Sequence, residues 1–281
     1  MRAEQITEPI AHHGEGPVWW PRWQRLRVLD MLAGDVLTLG PDGVERSDVG
    51  SRVAAVLRPR IGGGALVARE HDLAIADRDD LADLRPMVRV LDDPGLRCNE
   101  GGCDPQGRFY IGTMAYERTA QAGSLWRWDG GGELFDTVSL LTVPNGLGWS
   151  PDGDRAYLND SGAQVTFAFT HDPERGPINR RVLLEHEDGR PDGLCVDAEG
   201  GLWLAMLGAG QVRRFDPSGE LTEVVELPVS QPTACCFGGE DLGTLYITTS
   251  REGPGDGEPQ AGAVFACAPG VAGLEVLGFA G

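Results

Sequence analysis

Glu15, Asn99, Asn145 and Asp192 each stand six positions ahead of a turn residue, Pro21, Pro105, Pro151 and Ala198 respectively. In the last three cases the turn reads DPQG (104–107), SPDG (150–153) or DAEG (197–200), and a short apolar run follows. Residues at one shared offset hold equivalent places in repeated units. If the units close into a ring, equivalent places converge on its axis. Two carboxylates and two amides meeting there would form an oxygen-rich site for a hard divalent cation. Taken singly, each residue has a plainer reading. Asn145-Gly146 and Asp192-Gly193 are turn pairs that tolerate a left-handed backbone, and Glu15 is an acid on a solvated loop. Turn chemistry does not account for the common offset, nor for Val53 at the equivalent place in the second unit.

The elements that would position these residues recur. Turns fall near Pro21, Pro59, Pro105, Pro151, Ala198 and Gly239, spaced 38, 46, 46, 47 and 41 residues apart. A period of this size, with a turn and then a strand in each unit, is the signature of propeller blades. The runs RLRVLDM (25–31), RFYIGTM (108–114), RAYLND (155–160), GLWLAM (201–206) and TLYITTS (244–250) are rich in β-branched and aromatic residues. Only DRDDLADL (77–84) suggests a helical turn. The chain therefore reads as an all-β, six-bladed propeller forming a single domain over residues 1–281. AGAVFACAPG (261–270) should supply strands that close the ring with the N-terminal unit. In such a ring the first strand of each blade lines the central channel, so its entrance residue faces the axis.

Composition narrows the partners. The 281 residues include 41 Gly and 19 Pro, as many turns between short strands require, and 41% are hydrophobic, enough for a core. A formal net charge of −19 argues against a nucleic-acid backbone as partner. No apolar run reaches the length of a membrane span, and MRAEQITEPIAHHGEG lacks the apolar core of a secretory signal. A cytoplasmic location is expected. The six cysteines, none in a CxxC pair, read as small buried hydrophobes. His12-His13 reads as surface, and Trp19, Trp20, Trp149 and Trp203 as packing between blades. IGGGALVA (61–68) lacks the Lys-Ser/Thr of a phosphate loop, and no GxSxG occurs.

Several segments together, GEGPVW (14–19), RCNEGGCDPQGRFYIGTM (97–114), PNGLGWSPDG (144–153), RPDGLCVDAEGGLWLA (190–205) and TACCFGGEDLGTLYITTS (233–250), resemble the senescence marker protein/gluconolactonase family, which includes regucalcin and bacterial sugar lactonases. The resemblance runs in order over nearly the whole chain. It implies one divalent cation held by Glu15, Asn145 and Asp192, with Arg97 and Asn99 binding substrate and Glu117 as an acid at the pocket rim. The family's usual RFNDGK is here RCNEGG, so Cys98, Glu100 and Gly102 depart from the pattern.

The expected activity is metal-dependent hydrolysis of a small-molecule sugar lactone, with no organic cofactor. Calcium is the foremost candidate ion, and zinc, magnesium and manganese also suit the donors. Asp192 would serve as both ligand and catalytic proton acceptor. A cation depresses the pKa of a carboxylate it binds, so Asp192 would steer a proton more than hold it. Two alternatives use the same architecture: a phosphotriesterase-like hydrolase, and a calcium-binding propeller without activity.

Overall fold

The computed structural model describes residues 1–253 and 257–281. Six four-stranded antiparallel sheets stand in a ring, forming a six-bladed β-propeller. The first strand is β1 (Glu4–Gln5). Blade one holds β2 (Gly14–Trp20), β3 (Arg25–Asp30), β4 (Asp35–Gly40) and β5 (Gly43–Asp48). Blade two holds β6 (Ala54–Pro59), β7 (Ala65–Arg69), β8 (Asp72–Ala76) and β9 (Arg85–Arg89). Blade three runs through β10 (Leu96–Cys103), β11 (Phe109–Ala115), β12 (Gly123–Trp128) and β13 (Leu134–Leu141). Blade four runs through β14 (Pro144–Trp149), β15 (Arg155–Asp160), β16 (Val165–Asp172) and β17 (Gly176–Glu185). Blade five comprises β18 (Arg190–Val196), β19 (Leu202–Leu207), β20 (Gln211–Phe215) and β21 (Leu221–Glu226).

Blade six is assembled from both ends of the chain. Its β22 (Pro232–Gly238), β23 (Thr244–Thr249) and β24 (Phe265–Cys267) are followed, outermost, by β1, whose Glu4 and Gln5 pair with Ala266 and Phe265. The segment 261–270 thus closes the ring as its sequence suggests. Among the described residues no helix is long and apolar enough to cross a membrane. The expected helical turn at 77–84 is instead a string of tight turns, in which Asp83 accepts the amides of Asp77 and Arg78. Its acids thus bond to local backbone in place of a helical ladder.

The recurring turns have a chemical reason. Asp104 and Asp197 are wholly buried where the turn meets the second strand of the blade. Asp197 accepts the amides of Glu199 (3.0 Å) and Gly201 (2.8 Å) with one oxygen. Its other oxygen takes the indole N–H of Trp203 (2.8 Å) and Nε of Arg214 (2.7 Å). Asp104 repeats the pattern with the amides of Gln106 and Arg108, the Arg108 guanidinium and the Tyr110 hydroxyl at 3.1 Å. In both of these blades, three and five, the aspartate ties the turn to a large buried aromatic six residues later. Those aromatics fill the space between blades: Trp203 meets Phe237 edge-on at 5.8 Å, and Tyr110 meets Trp149 at 5.8 Å.

Asp197→Ala should strand two turn amides, the Trp203 indole and the Arg214 guanidinium. A loss of about 3 kcal/mol is expected for that set, measured by chemical denaturation. A change within a few tenths of a kcal/mol would show that the turn holds without its aspartate.

Candidate metal and substrate site

Each innermost strand breaks its ladder at the same depth. The register slips between Glu15 and Val18, Ala54 and Val56, Cys98 and Gly101, Pro144 and Leu147, Pro191 and Leu194, and Pro232 and Ala234. A bulge re-aims side chains that strict alternation would send to opposite faces. The residues at or inside the six breaks include Glu15, Ala55, Asn99 with Glu100, Asn145, Asp192 and Thr233. The blade-two position is therefore Ala55, one of the strand's own residues, and Val53 lies just before β6. Both are apolar, so blade two adds no donor at this level.

The glycines that follow these residues let the strands close around the axis. Neither Gly146 nor Gly193 takes a positive φ, so the turn-pair reading does not hold for them. A Cβ on Gly146 would stand 2.2 Å from the Leu194 nitrogen, and one on Gly193 would stand 2.4 Å from Cβ of Ala234. Both positions require glycine because neighbouring strands nearly touch there.

Hydrogen bonds then pass from blade to blade around the axis. Asn99 Nδ2 donates to the Pro144 carbonyl (2.9 Å), Asn145 Nδ2 donates to Asp192 Oδ1, and Thr233 Oγ1 donates to the Gly14 carbonyl (2.5 Å). Asn145 also donates to Ser161 Oγ (3.1 Å), and Asn159 donates to the Asp192 carbonyl (2.6 Å). Two buried aspartates set the strand entrances. Asp30 accepts the amides of His12 and His13 ahead of Glu15, and Asp160 accepts those of Thr142 and Val143 ahead of Asn145.

Glu15, Asn99, Asn145 and Asp192 are all buried at this end of the axis. Glu100 joins them as a third buried carboxylate. Burial and the charges of Asp192 and Glu100 push the Glu15 carboxyl well above its ordinary range. Burial and Glu100 do the same to Asp192. Glu100 is also raised by burial, though Arg58 and the Gly101 amide pull it back. Arg58 Nη2 lies 3.4 Å from Glu100 Oε1 and also donates to the Gly101 carbonyl.

Among the described residues Glu15 has no such partner. Its nearest basic group is His13 at 3.9 Å, and burial together with Arg97 lowers the His13 pKa to about 4. At neutral pH His13 is therefore uncharged and cannot balance Glu15. Two mutually repelling carboxylates without a bonded cation suit a divalent ion. Among the described residues no three His, Cys, Asp or Glu side chains lie close enough to hold an ion alone. An amide oxygen, which Asn145 can present by turning its side chain, would complete the set.

Arg97 lies beside these donors. Its Nη1 donates to Asn99 Oδ1 (2.7 Å) and to the Cys98 carbonyl (3.0 Å), and its guanidinium stands 5.8 Å from the centre of the Tyr116 ring. Cys98 turns away into the apolar interior between blades. Glu117 is exposed in the turn after β11. Its neighbour Arg118 lines a cleft of about 580 Å³, together with His13, Arg190, Gln231, Ser250 and Arg251 among others. His13 thus walls the cleft, with Nδ1 2.7 Å from Ser250 Oγ, and exposed His12 lines it as well. The far end of the axis opens into a separate, mostly apolar cavity of about 350 Å³, bordered by Trp19, Trp149 and Leu274–Leu277. None of the axial carboxylates lines either cavity directly; His13, 3.9 Å from Glu15, joins the arginine-lined cleft to the site.

Sequence reasoning missed Glu100 as a member of the carboxylate group. Strand alternation separates it from Asn99, and only the bulge cancels that rule. Arg58 was invisible because its partner lies 42 residues away in the next blade.

Residues 13–251 match the family described as the SMP-30/gluconolactonase/LRE-like region. Regucalcin of Sus scrofa is 34% identical over 298 residues, covering 100% of this chain and 99% of its own. The 6-deoxy-6-sulfogluconolactonase of Pseudomonas putida is 35% identical over 276 residues, covering 95% of each chain. The crystal structure of a regucalcin from Agrobacterium tumefaciens, described as a calcium-binding protein, superposes with a TM-score of 0.92 at 26% identity, covering 99% of this chain and 97% of that one. By sequence over its whole length, and by fold, the chain belongs to the SMP-30/gluconolactonase family.

Proposed function

We propose that this protein opens a sugar lactone to its aldonic acid by hydrolysis, and that it requires one divalent cation held by Glu15, Asn145 and Asp192. The observation that carries the reading is the pair of buried, mutually repelling carboxylates with no bonded cation, set beside the Arg97–Asn99 pair. The donor set is all oxygen, which favours calcium; magnesium, manganese and zinc also fit. The gluconolactonase names among relatives point to the same chemistry.

A bound divalent cation supplies a Lewis acid for the lactone carbonyl and lowers the pKa of water. The protein's own groups supply orientation and proton control. Asp192 accepts the proton leaving the attacking water and steers it toward the ring oxygen. Its position is held by Asn145 and by the Asn159 bond to its own carbonyl. Arg97, with two donors already committed to Asn99 and backbone, presents its remaining N–H groups to substrate hydroxyls in a fixed direction. Glu117 reaches the substrate from the rim. Because Asp192, Arg97 and Asn99 stand on inner strands locked to their neighbours, they are placed before substrate arrives.

A calcium-binding role without turnover is the second reading, favoured by the description of the Agrobacterium regucalcin. Metal-dependent release of acid from any lactone, followed by pH-stat, separates the two.

Glu15→Gln should have opposite effects with and without metal. It removes one of three repelling charges, so the stripped protein should melt higher than wild type in chelator. It should also abolish the rise in melting temperature that wild type shows with a divalent cation. A variant that kept the metal-induced rise would remove Glu15 from the ligand set. Asn145→Ala, which deletes a neutral donor, should weaken that rise less than Asp192→Ala does.

Arg97→Ala and Asn99→Ala should keep the metal by calorimetry while kcat/KM on a polyhydroxylated lactone falls about 10- to 100-fold. The loss should be smaller on an unsubstituted aliphatic lactone. Equal losses on both would assign Arg97 and Asn99 to the carbonyl or the fold.

A further inference from the structure

The cleft above the axial carboxylates is unusual for a chain of net charge −19. Among the described residues its wall carries Arg118, Arg190 and Arg251 and one acid, Glu252. Elsewhere on the surface many arginines are matched: Arg213 with Asp188, Arg214 with Asp197 and Glu199, Arg52 with Glu70. Arg118 and Arg190, by contrast, have no ion pair and no side-chain hydrogen bond to any other described residue. Both line the cleft together with His13, whose Nε2 lies 3.9 Å from Glu15, and Arg190 stands two residues before Asp192 on the same strand.

The charge balance of the site sharpens the point. A divalent cation cancels the charges of Glu15 and Asp192, and Arg58 meets Glu100. Arg118, Arg190 and Arg251 then line the cleft, with Glu252 the one acid among its described lining residues and Glu117 exposed in the turn beside Arg118. The described lining of a loaded site is therefore net positive inside a protein whose net charge is −19. Such a contrast focuses anions on the cleft. His13, Ser250 and Gln231 add hydrogen-bonding groups to the same wall.

We propose that the substrate is an anionic sugar lactone, bearing a phosphate, sulfonate or carboxylate on the carbon farthest from its carbonyl, and that Arg118 and Arg190 bind that group. This rests on the lactonase reading for the carbonyl end of the molecule. The carbonyl lies against Glu15, Asn145 and Asp192 at the floor, and the chain of hydroxyls passes Arg97 and Asn99. The terminal carbon then points out toward the guanidiniums at the mouth. Arg190 begins β18, two residues before Asp192, and Arg118 follows β11, so both are carried by the strands that frame the site.

The test uses the full chain loaded with calcium or manganese. Glucono-1,5-lactone is compared with six-carbon lactones carrying phosphate, sulfonate or carboxylate at the terminal carbon. Binding of the corresponding open-chain acids, which do not react, is measured by calorimetry. At least one charged lactone should exceed the neutral one in kcat/KM by about tenfold or more. Its open-chain acid should bind tighter than gluconate by a similar factor, and the preference should shrink as salt rises. The three anions distinguish which group is recognised. Arg118→Gln and Arg190→Gln should each lower the charged-to-neutral ratio, while Arg118→Lys and Arg190→Lys should largely restore it. A ratio near one for all three anions in both turnover and binding would overturn the proposal. So would a ratio indifferent to both Gln variants. Turnover of the neutral lactone with no charge preference would leave the lactonase reading standing, whereas tight anion binding without turnover of any lactone would remove that reading and keep the charged subsite.

Discussion

Like charges that must share one buried place govern this molecule. Glu15, Glu100 and Asp192 are driven toward the axis by a backbone that leaves them no other direction, and each raises the cost of ionising the others. One of the three is met by a protein cation, Arg58. The others are met by amides and by a histidine that burial keeps neutral. A fold that holds two charges in this condition has stored an affinity for a cation. The energy for that affinity comes from the packing that keeps the ring shut.

Shutting the ring depends on small residues where the strands converge. Gly146 and Gly193 let the inner strands of blades four, five and six approach to near contact. The breaks in register do the complementary work, turning one or two residues per blade out of the ladder and onto the axis. Further out, Asp104 and Asp197 anchor the turns to Tyr110 and Trp203, which fill the wedge between blades. Site geometry and blade packing are thus one construction. The residue that points at the ion and the aromatic that spaces the blades lie on adjacent strands, joined by one turn.

The departures from the family pattern also fit together. With Gly102 in place of a long cation, the space beside it is taken by Arg58 from the neighbouring blade; a Cβ at Gly102 would stand 3.7 Å from the Arg58 guanidinium. The positive charge that steadies Glu100 is therefore supplied across a blade boundary. Cys98, between Arg97 and Asn99, is absorbed into the apolar interior.

Much of this was legible in the sequence because a repeat writes each structural rule several times. The turn spacing identified six blades, and the common offset picked out Glu15, Asn99, Asn145 and Asp192, since a rotation about the axis preserves equivalent places. Closure by the C-terminal segment followed from the same count. What the sequence could not decide was anything that depends on a distance between blades or on broken alternation. Glu100 turns inward only because a bulge suspends the two-residue period of a strand. Gly146 and Gly193 look like turn residues until the neighbouring strands are in place. His13 becomes a neutral wall of the cleft, and not a surface group, through burial beside Arg97. The arginine mouth gathers residues 118, 190 and 251 from three different blades. Local chemistry and periodicity are properties of the chain, but charge balance and proximity across the axis exist only once the ring has closed.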